Sequence, residues 1–271
     1  MLKKKCSKIY EVSHHQNRMK DEGDTEKARA DFLKNPSNNL KFLLKNRYEW
    51  MNDYINDDSK GVEVGCGAGI SKFYIKAKKF LLTDYSDNNW LDVKNVDALN
   101  MPFDNESFDF IISSNMIHHV PYPIKFLKEM HRILKPGGLV LIQEINASFF
   151  MRFFLRLMRH EGYSFETDVF SERVICTNLH DPWSANCAIP NLLFDNENKF
   201  RQKAPYFEII RNKYSEFFIF LNSGGVIAKT FYIPMSLFLL KIIKIIDNIL
   251  VKISPKIFAL QRQIVLKKIN I

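Results

Sequence analysis

The chain has 271 residues, 46% of them hydrophobic and 25% charged, which excludes disorder as the dominant state and a three-domain organisation. Its formal net charge of +9 reflects 39 Lys and Arg against 30 Asp and Glu, and the excess is confined to one region. Through Lys199 there are 27 basic and 27 acidic side chains, whereas Arg201 to Ile271 carry 12 basic residues against Glu208, Glu216 and Asp247. A neutral body therefore precedes a last quarter that is both basic and apolar, unlike a disordered basic tail or the evenly charged face of a nucleic-acid binder.

The first 30 or so residues are polar, include His14 and His15, and read as a mobile segment passing into helix. No apolar run follows the basic start, so no signal peptide is expected, and no stretch approaches the length of a membrane span. Cys6, Cys66, Cys176 and Cys187 form no metal-binding spacing and read as reduced thiols; no metal is expected. From Asn39 to Ile55 a 3.6-residue apolar period through Leu40, Leu43, Leu44, Tyr48 and Met51 predicts an amphipathic helix.

Short apolar runs then alternate with helical stretches. Gly61–Val64 predicts a strand, Ile70 to about Lys78 a helix, and Phe80–Thr83 a second strand. Val93–Val96 is a weak third strand, Phe108–Ser113 a fourth, Ile124–Leu134 a helix, and Leu139–Ile142 a fifth strand. The alternation implies right-handed crossovers and a parallel sheet covered on both faces.

Glu63-Val-Gly65-Cys-Gly67-Ala-Gly69 links the first strand to a helix, where glycines permit a tight turn and close approach of the backbone to a ligand. A dinucleotide fingerprint would place its third glycine at position 70, which is Ile70. Asp84 ends the second strand, 19 residues after Gly65, where a carboxylate can accept ribose hydroxyls. Asp97 follows the third run.

Together with Asp97-Ala98, Met101-Pro-Phe103, Phe108-Asp109, His118-His119-Val120 and Leu134-Lys-Pro-Gly-Gly138, these features resemble the class I S-adenosylmethionine (SAM)-dependent methyltransferases, in the broad small-molecule and glycan group. The resemblance covers residues of about 60–145. It implies an α/β Rossmann-like fold with a seven-stranded, mostly parallel sheet and helices on both faces. It also implies SAM as cofactor, with Glu63, Gly65, Gly67 and Gly69 at its methionine part, Asp84 at the ribose, Asp97 with Ala98 at the adenine, and Ser114 beside them. Glu63 stands where the family more often has Asp.

Methyl transfer from a sulfonium needs alignment above all, and an alcohol acceptor benefits from a general base. Ser113 to His119 lacks the Asn/Asp-Pro-Pro-aromatic pattern of enzymes that methylate nucleic-acid amines. Two histidines stand instead at the carboxyl end of a strand, and resemblance to sugar O-methyltransferases implies His118 as base, Glu144 as its partner, and His119 beside them. A competing reading has His119 packed against the sheet and capping the next helix.

Beyond Glu144, Ala147 to Tyr163 spaces Arg152, Arg156 and Arg159 along one face of an aromatic-rich helix, a lid over an acceptor pocket or an interfacial helix. Trp183 and Asn186 follow as candidate sugar contacts. Met235 to Ile253 carries Lys241, Lys244, Asn248 and Lys252 on one side and Leu, Ile and Phe on the remainder, either a core helix or one lying on anionic lipid. Gln263–Lys268 predicts a closing antiparallel strand. The expected organisation is a helical cap segment over 1–56, a SAM-binding core over 57–146, an acceptor-site insertion over 147–206, and C-terminal strands with a basic amphipathic helix over 207–271. Helical insertions thus follow the fifth strand and precede the last. The acceptor expected is a small molecule or lipid-linked glycan, such as a sugar of a surface polysaccharide. The site is expected to be cytoplasmic, peripheral on the inner membrane face, with no nucleic acid. An RNA methyltransferase using the basic quarter, and a SAM-binding module without turnover, are the alternatives.

Overall fold

A computed structural model describes residues 23–158, 161–181 and 183–269. Expectations for Cys6, His14, His15 and Arg159 fall outside them. The frame is a six-stranded sheet ordered β2-β1-β3-β4-β6-β5. Its strands are β1 (Lys60–Val64), β2 (Lys79–Thr83), β3 (Phe108–Ser114), β4 (Leu134–Ile145), β5 (Phe207–Ser215) and β6 (Gln261–Lys268). The four strands β2-β1-β3-β4 run parallel, and β6 enters antiparallel between β4 and β5. The closing strand expected at Gln263–Lys268 is thus part of β6.

Parallel strands covered on both faces are largely apolar on both, as β3 is through Phe108, Phe110, Ile111 and Ile112; β1 is buried on both faces but offers Val62 and Val64 to one and Gly61 and Glu63 to the other. On one face Val62, Ile111 and Val140 pack against Phe126, Leu127, Met130 and Ile133 of α3 (Pro123–Ile133). On the other, Leu82, Ile112 and Leu141 pack with Ala28 and Phe32 of α1 (Thr25–Lys34) and Leu40 and Leu44 of α2 (Asn38–Tyr48). The helix expected over 39–55 divides into α2 and a 3-10 turn, Glu49–Tyr54.

Two expected elements are absent among the described residues. Val93–Val96 forms no strand, so the sheet has six strands and not seven; it keeps a single parallel bridge, Thr83 to Val93. The Asp92 carboxylate accepts the Leu82 N–H, Asp92 and Val93 N–H both donate to Leu82 O, and Asn95 turns left-handed at φ 54°. A side chain and one carbonyl therefore satisfy the edge of β2 where a strand would pair. The helix expected from Ile70 stops as a 3-10 turn at Phe73. There the Asn52 amide donates to Tyr74 O and accepts from Lys76 N, replacing the next helical turn.

After β4 come α4 (Phe149–Met158), α5 (Ile189–Phe194) and α6 (Glu197–Lys203); between β5 and β6 come α7 (Phe218–Leu221), α8 (Leu237–Ile253) and α9 (Pro255–Phe258). The helix α4 buries Met151 and Leu155 and exposes Phe149, Phe153 and Leu157. Arg152 and Arg156 lie over the rings of Phe165 and Tyr163. In α8 the buried positions are Leu240, Asp247 and Val251, and Asp247 accepts the N–H groups of Phe217, Phe218 and Ile219. A carboxylate thus fastens α8 to the start of α7, while Ile245, Ile249 and Ile253 face outward at 60%, 54% and 71% exposure. No described helix is long and apolar enough to cross a membrane.

Candidate active site

The carboxyl ends of β1, β2, β3 and β4 open into one cavity of about 1350 Å³. Pockets that hold a single drug-sized ligand are about 300–1,000 Å³, so this one exceeds the usual size and has room for a cofactor and a second molecule. Its floor is the turn after β1. Gly65, Gly67 and Gly69 all have positive φ, at 69°, 53° and 62°, which disfavours any side chain. A Cβ at Gly67 would meet nothing closer than 3.8 Å and project into the cavity; one at Gly69 would strike Trp90 at 2.7 Å. The turn is held by groups the sequence did not advertise. Trp90 Nε1 donates to Gly67 O, and Arg29 of α1 donates to Ala68 O while stacking between Phe73 and Trp90.

Gly65, Gly67, Asp84, Asp97, Ala98 and Ser114 line the cavity together. Asp84 Oδ2 accepts Gly67 N at 2.8 Å and Oδ1 accepts Ser86 N, so the second strand's acid and the glycine turn are braced as one unit. Asp97 is exposed and accepts from Leu99 N. Glu63 and Gly69 stand behind the lining. The Ser71 hydroxyl donates to Glu63 Oε2, and Oε1 is buried with no hydrogen-bond partner. Burial, opposed by Ser71 and joined by the negative charge of Asp84, pushes the Glu63 carboxyl up to about 8. An enclosed acceptor without a donor suits an incoming ammonium group, and the glycine cradle leaves space for one. The residues present therefore fit the α-amino acid part and ribose of SAM.

Across the cavity, the 3-10 turn Ile117–His119 follows β3. Glu144, fully buried near the end of β4, accepts from Ile117 N and Ile145 N and stands 2.5 Å from His118 Nδ1. Burial disfavours charge on His118, but Glu144 and Glu161 outweigh it and raise the imidazole to about 10. The His119 ring lies tilted against His118 with centroids 4.3 Å apart; burial and that neighbour lower it to about 4. Its Nδ1 lies 3.1 Å from Ser184 O, and α3 has no side-chain cap at Tyr122, so His119 does not cap the helix.

Glu161, missed in the sequence, lies 3.5 Å from His118 Nε2 and 3.7 Å from His119 Nε2. It is 42 positions beyond His119 in an insertion without periodicity, and no spacing signal exposes it. Asn186, read as a sugar contact, is fully buried: its N–H donates to His118 O and its side chain accepts from Ser164 N and Ala188 N. It is a tie between the insertion and the histidine turn. Trp183 does line the cavity, edge-on to His119. The outer wall is apolar, with Phe154, Leu155 and Leu157 from α4, Phe220 from α7, and Val226, Ile227 and Phe231 from the strap before α8.

A family model described as a methyltransferase domain matches residues 62–142. Similar curated proteins include the demethylmenaquinone methyltransferase of Staphylococcus epidermidis, 50% identical over 48 residues, covering 18% of this chain and 20% of that protein. The probable tRNA methyltransferase 9B of Mus musculus is 29% identical over 160 residues, covering 51% of this chain and 33% of the relative. The chain thus spans a third or less of the length of these two relatives. Among solved structures, a SAM-dependent methyltransferase from Archaeoglobus fulgidus superposes with a TM-score of 0.52 at 16% identity, covering 83% of this chain and 93% of that one. That likeness concerns the fold, an α/β Rossmann-like methyltransferase fold.

Proposed function

We propose that this chain, whose residues 62–142 are a class I SAM-dependent methyltransferase domain, methylates a hydroxyl of a small or lipid-linked acceptor, such as a sugar of a surface polysaccharide, at the cytoplasmic membrane face. One observation carries the reading: a single cavity joins the glycine turn to the His118–Glu144–Glu161 cluster and leaves by an apolar wall. When bound, SAM supplies a methyl group already activated on a sulfonium. The chain's own residues then have three tasks.

Gly65, Gly67, Asp84, Asp97, Ala98 and Ser114 form the cofactor's floor and walls, with Glu63 behind them toward its ammonium. The apolar wall excludes water from the second compartment, where alignment provides most of the acceleration. His118 and Glu161 handle the acceptor's proton. With its imidazole raised to about 10, His118 holds a proton at neutral pH, so the proton acceptors left beside it on the cavity wall are Glu161 and the neutral His119 Nε2. Glu144 keeps the His118 ring oriented, and His119 packs it from the side.

Membrane contact is supported by the exposed faces of α4 and α8. Both helices pack on α9, and Leu157 and Phe231 are exposed while also lining the cavity, so the apolar surface runs to its mouth. Lys241, Lys252 and Lys256 are exposed beside the outward isoleucines, a complement to anionic headgroups. Basic groups that an RNA footprint would need are partly spent inside the fold. Arg262 is buried on Asp195 and Asn212, Lys268 on Leu134 O, and Arg211 stacks on Trp50.

The test is transfer of a radioactive methyl group from SAM to extracts of the source cells. Label should enter the lipid and glycolipid fraction and resist mild alkali, as an ether does. Label in RNA, or none in lipid and glycan fractions, would overturn the proposal.

A further inference from the structure

Two imidazoles and a carboxylate from distant parts of the chain converge on the cavity wall, and we propose that His118, His119 and Glu161 bind a divalent transition-metal ion of the zinc class. The site goes beyond methyl transfer and stands whatever the acceptor is. Their ligand atoms all lie within 4.8 Å of one another, with His118 Nε2 and His119 Nε2 at 3.5 and 3.7 Å from the two oxygens of Glu161. Ligands about 2.1 Å from a tetrahedral ion stand about 3.4 Å apart, so these separations are those of a coordination shell.

The surrounding groups set the direction of each ligand. Metal-bound histidines nearly always give their other ring N–H to a carboxylate or carbonyl, and both rings do so here. His118 Nδ1 faces Glu144 Oε2 at 2.5 Å, and His119 Nδ1 faces Ser184 O at 3.1 Å. A carbonyl oxygen only accepts, so Nδ1 of His119 carries the hydrogen and Nε2 turns a lone pair toward Glu161. Glu144 is itself fixed by the N–H groups of Ile117 and Ile145. The Cys187 thiol donates to Glu161 Oε2 at 3.2 Å and steadies the third ligand.

Charge and access agree with the geometry. A bound ion would take the place of the proton that His118 holds in the metal-free chain, with the Glu144 and Glu161 carboxylates beside it as counter-charges. A set of two imidazole nitrogens and one carboxylate suits zinc, cobalt, nickel or iron and not magnesium. All three ligands line the cavity, so the remaining coordination position faces the acceptor compartment, where it would take an oxygen donor.

The test is titration of the purified full chain with cobalt(II) as a visible probe, then competition with zinc(II). One cobalt per chain should give the intense visible band of a low-coordinate ion, and zinc should abolish it. Glu161→Gln and His119→Gln should each remove the band, while Glu144→Gln should weaken cobalt about 10- to 100-fold. SAM binding at the opposite wall reports whether each variant is folded; if one of the ligand variants fails that control, the other decides. No band in the wild-type chain, or a band that folded ligand variants keep, would overturn the proposal. Neither readout requires an acceptor or turnover, so failure of the methyl-transfer reading would be seen separately.

Discussion

Glu63 is enclosed behind the glycine turn, with Ser71 on one carboxylate oxygen and nothing on the other. Its carboxyl is raised to about 8 against an unfolded value near 4.3, so the native state holds its proton between those limits. Stability of the cofactor-free protein should therefore fall as pH climbs through that window, and SAM, by supplying an ammonium, should reverse the effect. SAM affinity should rise with pH, up to about tenfold per unit, and level off near pH 8. Calorimetry in buffers of different ionisation enthalpy would detect the released proton, and Glu63→Gln should abolish the release while weakening SAM about 10- to 100-fold. Two glycines separate ligand from fold. Gly67→Ala, with only cavity before it, should block SAM at a cost of about 1–2 kcal/mol in stability. Gly69→Ala adds a collision with Trp90 and should unfold at a clearly lower urea concentration. Positions such as Gly67 and Asp84 were legible in the sequence because each is fixed by its distance from a strand end, and Asp97 lines the same cavity although the strand expected before it does not form. Glu161 and Asn186 were not, because their roles depend on where a long irregular insertion folds back.

Among the elements, α8 shows what periodicity reveals and withholds. The lysine stripe and broad apolar face were readable, but they do not say which face the body covers. Asp247 decides it: three N–H groups at the start of α7 require that carboxylate, and the isoleucines opposite are left outside. Asp247→Ala should cost at least about 2 kcal/mol, since Phe217 N and Ile219 N are orphaned in a buried setting at about 1–3 kcal/mol each, measured as a lower urea midpoint. The double change Ile245→Glu and Ile249→Glu should leave that midpoint nearly unchanged. It should abolish sedimentation with vesicles containing phosphatidylglycerol at low salt, and retained binding would contradict the membrane contact. The absent third strand and the shortened helix after Gly69 have the same physical origin. Side chains of Asp92 and Asn52 take backbone partners that local propensity assigns to a strand and a helix.

At the scale of the whole molecule, the net charge of +9 gives little guide to chemistry. Its excess in the last quarter divides between buried structural cations such as Arg262 and Lys268 and the exposed lysines of α8 and α9. The parallel sheet, its two covered faces and the glycine turn followed from the alternation of short apolar runs with helices. The joining of cofactor floor, histidine turn and apolar mouth in one cavity depends on contacts between segments over a hundred residues apart, such as Ile227 above Gly67. That shared cavity is the central claim. The most direct measurement is a crystal structure of the chain with S-adenosylhomocysteine. The ligand should lie on Gly65, Gly67 and Asp84 with its sulfur open to the compartment of His118 and Glu161. A ligand bound elsewhere, or a sulfur walled off from that cluster, would contradict the account.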